Sequence, residues 1–247
     1  GTANIPDLSL ATPTLNVETT YSASFTAGLE YLRHGSLKNK FGTLAAGIEG
    51  KGPIEIDLKL AIPIPTGERT VAGTVRLTDN EVKFTRFKSQ FEHATGQLEF
   101  TTTGITSSGI DGSYLGAPIR ISAIRHPDDS SATRVKFAGD ANKRFLIRQL
   151  HALNLFADPG DPPKIMSRIH GVTPWMAQLD LPPNWGQPGS QAKLDVKTDL
   201  RGLAFDLPAP FNKTKAAAQR LSISTTLSDA RRRVVKIRYG KDIGGTF

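Results

Sequence analysis

The 247-residue chain contains no cysteine, which removes disulfides, thiolate catalysis and cysteine-ligated zinc together. Aromatic residues are sparse at 7%, too few beside the basic stretches to read as a base-stacking surface. No apolar run approaches the roughly 18 residues of a membrane-spanning helix. The five histidines, His34, His93, His126, His151 and His170, stand singly, with no HExxH or His-x-His spacing. A Gly-x-Ser-x-Gly elbow, a P-loop and a dinucleotide fingerprint are also missing from the sequence. These gaps exclude the common nucleophilic, nucleotide-dependent and zinc-dependent chemistries that a sequence announces by spacing. Carboxylate pairs for glycoside cleavage are set by the fold and leave no such trace; nothing in the sequence promotes one.

Charge is unevenly placed. The net charge is +8, yet residues 1–125 carry 12 basic and 12 acidic side chains, leaving 19 basic and 11 acidic, with no Glu, in residues 126–247. Arg231, Arg232, Arg233, Lys236, Arg238 and Lys241 form one cluster, and Lys143, Arg144 and Arg148 another. Two readings stand side by side. One is a surface for an anionic partner such as a phospholipid headgroup layer; the other is a solvated face that keeps an apolar β-protein soluble. Nucleic acid fits poorly, since no zinc-finger, RNP-type or GXXG signature accompanies the charge. Hydrophobic residues make up 38%, enough in Ile, Leu, Val and Phe to exclude disorder.

What is present is alternation with period two. Ile54, Ile56, Leu58, Leu60, Ile62 and Ile64 interleave with Glu55, Asp57, Lys59, Ala61, Pro63 and Pro65. Val71, Val75 and Leu77 continue the pattern up to Thr78-Asp79-Asn80, which reads as a turn, and Val82 and Phe84 follow it. Further strands are predicted at Leu98 and Phe100, Ile119 and Ile121, Val135 and Phe137, Leu194 to Thr198, Leu203 to Leu207, Leu221 to Leu227, and Val235 to Tyr239. An antiparallel meander is the economical topology. Two or three short helices are expected: Phe25 to Arg33, Leu37 to Ile48, and Ala141 to Leu153 with Asp140 as N-cap. The whole of 1–247 reads as one β-rich segment of something longer, with Asp158 to Pro163 as its clearest break and Leu181 to Gly189 as another. Asp128-Asp129, between His126-Pro127 and Ser130-Ser131, reads as a polar hairpin tip. Asn212-Lys213-Thr214 matches a glycosylation sequon, a pattern frequent by chance. Asp158 and Asp161 lack calcium-loop spacing.

The most distinctive stretch is Lys197-Thr-Asp-Leu-Arg-Gly-Leu-Ala-Phe-Asp-Leu-Pro-Ala-Pro-Phe-Asn-Lys213. It resembles a signature of the YhdP family, very long AsmA-superfamily proteins of Gram-negative bacteria. Upstream, Gly50 to Ile64 is similar to that family's aliphatic strand. Gly96 to Ile105 with Ile110 to Ile119 is similar to its Gly-rich pair of strands, although Ala117 stands where the family more often has Gly. The resemblance implies the periplasmic portion of an inner-membrane-anchored protein without enzymatic activity. It implies an antiparallel curled sheet forming an open hydrophobic groove, along which phospholipid moves toward the outer membrane. Contact with the inner and outer membranes would come through segments absent here, and envelope proteins are further possible partners. No cofactor, metal or catalytic residue is implied. The residues expected to line the groove are Ile54, Ile56, Leu58, Leu60, Ile62, Val75, Leu77, Val82, Phe84, Leu98, Phe100, Ile119, Ile121, Leu194, Val196, Leu203, Phe205 and Leu207. The same alternation also builds a closed sandwich. A β-rich module that binds a protein or glycan through its loops, with Trp175 and Trp185 as candidate contacts, is the alternative.

Overall fold

The computed structural model describes residues 1–34, 38, 42, 45–64, 67–85, 89–129, 131–153, 161–228, 234–241 and 243–246. In chain order the elements are β1 (Thr2–Asn4), β2 (Thr14–Ser24), α1 (Phe25–His34), β3 (Ile48–Lys51), β4 (Pro53–Pro63), β5 (Thr70–Phe84), β6 (Ser89–Thr101), β7 (Gly104–Tyr114), β8 (Ala117–Arg125) and β9 (Thr133–Asn142). Then come α2 (Lys143–Ala152), a 3-10 turn (Lys164–Arg168), β10 (Ile169–Leu181), β11 (Ala192–Thr198), β12 (Leu203–Phe205), β13 (Leu221–Leu227), β14 (Val235–Tyr239) and β15 (Ile243–Thr246). The fifteen strands described form one open antiparallel sheet, not closed into a barrel. Strand order follows chain order, as a meander requires; β3 and β12 lie off the path, paired with β5 and β10. No helix among the described residues is long and apolar enough to cross a membrane. By contacts the chain divides into two compact units: Gly1–Gly112 with Ile121–Arg134 and Pro182–Gln187, and Ser113–Arg120 with Val135–Leu181 and Pro188–Phe247.

In the first unit the alternation of β4 sets the register of its neighbours. Ile54, Ile56, Leu58 and Leu60 stand opposite Ala23, Tyr21, Thr19 and Val17 of β2, and opposite Leu77, Val75, Gly73 and Val71 of β5. Helix α1 leaves directly from the end of β2. The Ser24 hydroxyl accepts from the Ala27 amide at 3.1 Å, an N-cap that satisfies one free donor. Its buried face carries Leu29, and Phe25 rests on Gly50, where an added Cβ would stand 2.2 Å from the ring. At the other end the Arg33 guanidinium donates to the carbonyls of Ala45 and Ile48. Of the helix expected over Leu37 to Ile48, half the residues lie outside the described ones; Lys38, Gly42, Ala45 and Ala46 are helical, Gly47 turns, and Ile48 instead opens β3.

The turn expected at Thr78-Asp79-Asn80 is a bulge inside one 15-residue strand. Asp79 takes a φ of 55°, and on β6 His93 does the same; the pairing shifts by one residue on each strand in turn. The two bulged residues are joined, His93 Nδ1 to Asp79 Oδ1 at 2.7 Å. Asn80, fully buried, donates to the carbonyls of Lys51 (3.1 Å) and Pro53 (3.0 Å) and accepts from the Thr78 amide (2.7 Å). It thereby pins the break between β3 and β4, where Gly52 has a φ of 106° and an added Cβ would sit 2.6 Å from the Asn80 amide nitrogen. A bulge with this support holds against a chain reversal because Asn80 and Thr95 supply partners to backbone groups around it.

In the second unit α2 again leaves directly from a strand, but its N-cap is Asn142, whose Oδ1 accepts from the Phe145 amide at 2.9 Å. Asp140 and Ala141, expected at the helix start, remain in β9; the strand pairing holds them, and the cap shifts two residues on. Phe145 stacks on Trp175 at 5.7 Å and meets Tyr114 edge-on at 6.2 Å. Leu146, Ile147 and Leu150 pack on Met166, Ile169, Leu200 and Leu203, while Leu153 is exposed. The strand expected over Leu203 to Leu207 ends at Phe205. Of the break at Asp158 to Pro163, residues 158–160 lie outside the described residues, as do Arg231, Arg232 and Arg233.

Asn80→Ala leaves two carbonyls and an amide without partners in a dry site, and is expected to destabilise the chain by about 3 kcal/mol, read as a lower urea midpoint at unchanged m. His93 is held above the ordinary histidine pKa by its hydrogen bond to Asp79, and then by the carboxylate's charge. Its contribution to stability is therefore full below about pH 6.5 and fades as pH rises through the raised value. An NMR titration of Asp79→Asn is expected to return the His93 pKa toward the ordinary one.

Candidate functional site

Cross-strand rows on one face of the first unit are almost entirely apolar. From β2 to β6 they read Ala23, Ile54, Leu77, Gly96; then Tyr21, Ile56, Val75, Leu98; then Thr19, Leu58, Gly73, Phe100; then Val17, Leu60, Val71. Leu15 and Ile62 extend the face. Paired residues of antiparallel strands point to the same side, so register alone gathers them. Gly73 has room only for hydrogen: an added Cβ would stand 2.5 Å from the Phe100 ring. Burial grades along the face. Ile54, Ile56, Leu77 and Val82 are buried, and Gly28 of α1 packs directly against Ile54. Leu58, Leu60, Ile62, Val75, Phe84, Leu98 and Phe100 are only half-buried.

The opposite face is a lattice of charge. Arg76 bridges Glu55 and Asp57, the latter at 2.7 Å; Thr20 donates to Asp57 at 2.7 Å; Lys59 meets Glu18 at 3.2 Å. The Thr20 hydrogen bond foremost, with Arg76 beside it, holds the Asp57 carboxyl below the usual carboxylate range. One surface of this sheet is therefore set for water and the other for hydrocarbon.

The second unit repeats the asymmetry. Ala177, Val196, Ile223 and Ile237 form one row, and Leu179, Leu194, Thr225 and Val235 the next. Leu194 and Val196 are half-buried. On β8, Ile119 is buried and Ile121 half-buried. Leu203 is the extreme case at 1% exposure, enclosed by Met166, Ile169 and Leu200, with Phe205 packed against that cluster. Leu207 lies beyond β12, half-buried in the following loop. Trp175 is committed to its stack on Phe145, and Trp185 is half-buried in the turn its amide closes on the Pro182 carbonyl. At the β8–β9 connection Asp129 accepts from Ser131 and the His126 amide donates to the Ala132 carbonyl; this is the hairpin tip expected there.

One residue that sequence reasoning left aside is Lys213. Phe205 and Lys213 exchange backbone hydrogen bonds of 2.8 and 3.1 Å, folding the Asp-Leu-Pro-Ala-Pro-Phe-Asn stretch into a hairpin. The Lys213 side chain turns inward, 8% exposed, and its ammonium donates to the carbonyls of Leu203 (2.7 Å) and Thr214 (3.0 Å). Burial pushes its pKa down, opposed by Asp199 and reinforced by Arg201. It lines a cavity of about 480 Å³ with Phe205, Asp206, Pro210, Asn212, Thr214, Ala217, Gln219 and Tyr239. In the sequence it is marked by its place in the Pro-rich signature and in the Asn212-Lys213-Thr214 sequon.

A family model described as YhdP protein matches residues 1–247. No curated protein matches the chain, and no solved structure does.

Because the chain has no cysteine, a single introduced one is a unique handle. A polarity-sensitive dye attached to Leu98→Cys is expected to emit well to the blue of the same dye on Glu99→Cys, one residue along on the charged face.

Proposed function

The chain belongs to the YhdP family, and from that premise we propose that it is a non-catalytic segment of a bacterial envelope protein that conducts phospholipid toward the outer membrane. The acyl chains travel on the half-buried aliphatic faces of its sheet. In this reading the segment is periplasmic, and its partners are phospholipid and, through other segments, the two membranes. One observation carries it: the register of β2, β4, β5 and β6 lines up Leu58, Leu60, Ile62, Val75, Leu98 and Phe100, all half-buried, with no second layer among the described residues that closes over them.

The energetics favour that use of the surface. A methylene moved from hydrocarbon into water loses about 0.8 kcal/mol, so a sixteen-carbon tail crossing water unaided forfeits on the order of 10 kcal/mol. An aliphatic wall returns most of that, and because its contacts have no direction a tail slides from one position to the next at little cost. Polar groups on the wall would act against sliding, since each either holds the guest or is left without a partner. Thr19 is the one hydroxyl in the four rows apart from Tyr21.

A photo-crosslinking residue at Leu98 or Leu60 in the intact envelope protein is expected to capture phospholipid, and the same residue at Lys59 or Glu99 is not. Leu58→Asp and Leu98→Asp are expected to fold, because both sites are half-exposed, yet to cut lipid transfer between membranes several-fold. Transfer at the wild-type rate by folded variants would show that these faces do not carry the lipid.

A further inference from the structure

An ammonium taken out of water is stable only if its charge is answered. Among the described residues Lys213 is the one ionisable side chain that is buried. Its two hydrogen bonds go to neutral carbonyls, and among the described residues no carboxylate forms an ion pair with it, Asp199 acting only from further away. One of its three N–H groups is left over beside the cavity. Asn212 and Gln219, which carry side-chain amides, and Thr214 and Tyr239, which carry hydroxyls, are among the residues of the lining. Burial holds the Tyr239 phenol above its ordinary pKa, so that hydroxyl keeps its proton to give. The lining holds a single carboxylate, Asp206, which faces His170 of β10 at 3.4 Å.

We propose that this cavity is a binding site for a phosphate-type oxyanion of single charge, with the Lys213 ammonium as its counter-ion and the surrounding amides and hydroxyls as its donors. A tetrahedral oxyanion accepts from several directions at once, which suits donors spread around a pocket of this volume. A monoanionic phosphodiester matches one buried cation with a carboxylate nearby better than a dianion does. The phosphate is either the headgroup of a phospholipid or free in solution. The inference deepens the function proposed above and rests on it only for that source. In the headgroup case the hairpin of the Leu-Pro-Ala-Pro-Phe-Asn-Lys stretch would hold the polar end of a lipid.

The test follows the Lys213 ammonium itself. The intact chain, with isotope-labelled lysine, is titrated with inorganic phosphate. It is titrated separately with dihexanoylphosphatidylglycerol, whose short tails keep it below its micelle concentration. Both are expected to move the Lys213 NMR signal, and Lys213→Met, which keeps the length and apolar stem, is expected to weaken binding at least tenfold. Lipid binding tenfold or more tighter than phosphate identifies the headgroup as the source, while equal affinities identify free phosphate; either supports the site. Should Lys213→Met lose its wild-type circular dichroism spectrum, Tyr239→Phe and Gln219→Ala each remove one donor and are expected to weaken binding several-fold. A wild-type Lys213 signal unmoved by both ligands at millimolar concentration overturns the proposal, as does undiminished binding by folded Lys213→Met. Crosslinking of lipid at Leu98 would be untouched by either result, so the two readings fail separately.

Discussion

The arrangement turns on a mismatch of lengths. Strand β4 has 11 residues and β5 has 15, so their apolar face runs for about 36 Å or more at roughly 3.3 Å per residue. Among the described elements, the one laid on it, α1, has 10 residues and is therefore about 15 Å long and 10 Å across. Such a helix covers less than half the length of the face. Burial follows that limit: Ile54 and Ile56, near the helix, are closed over, while Leu58, Leu60 and Ile62, further along the same strand, are not. A sandwich solves the same problem with a second sheet. Here each unit instead sends a ten-residue helix straight from a strand end, capped by Ser24 in one case and Asn142 in the other. That local device is inexpensive in chain length and cannot extend further.

The second constraint is phase. Side chains alternate along a strand, so a one-residue slip moves every later apolar residue to the other face. On β5 the apolar set is odd-numbered through Val71, Val75 and Leu77 and even-numbered at Val82 and Phe84. On β6 it is odd at Phe91 and even at Ala94, Leu98 and Phe100. Each change of phase falls on a bulge, Asp79 on one strand and His93 on the other. The two slips compensate, which keeps Val82 against Phe91 and Leu77 against Gly96 in one ladder. Asn80 and the Asp79–His93 pair are thus what allow a 15-residue strand to keep one greasy side.

That phase change is visible in the sequence, but Thr78-Asp79-Asn80 are also good turn formers, and their local chemistry points equally to a chain reversal. The strands that read most clearly, β4, β11, β13 and β14, are those with an unbroken aliphatic alternation. Strand β2 is not legible in the sequence because its partners to Ile56 and Leu58 are Tyr21 and Thr19, which dilute the pattern. Strand β7 is mostly Gly, Ser and Thr. Strand β10 was hidden by Pro174, yet that residue falls between the stretch paired with β12 (Ile169–Gly171) and the stretch paired with β11 (Met176–Asp180). On that side no amide is demanded of it. The apolar rows of the candidate site were legible as strand faces. Lys213 was not, because what buries it is a hairpin whose path depends on its partners in β12 and not on any local periodicity.

Charge completes the argument. The basic excess of residues 126–247 had two readings, and register helps to separate them. Lys197 and Arg238 share a row with Met176 and Ser222; Lys193 and Lys236 lie in adjoining rows of the same face, opposite to Leu194, Val196 and Ile237. Asp195 sits among them, 2.9 Å from Lys193 and accepting from Ser224 at 2.7 Å. These cations are the wet back of a sheet whose front is apolar, and an open sheet needs such a back to stay dissolved while its front is bare. Lys213 breaks the rule. Among the lysines and arginines described, Lys213 alone is buried, folded under a hairpin beside an open cavity. A desolvated charge is retained in a protein only where something compensates it. Two backbone carbonyls and the more distant Asp199 carboxylate compensate part, and an anion entering that cavity would supply the remainder.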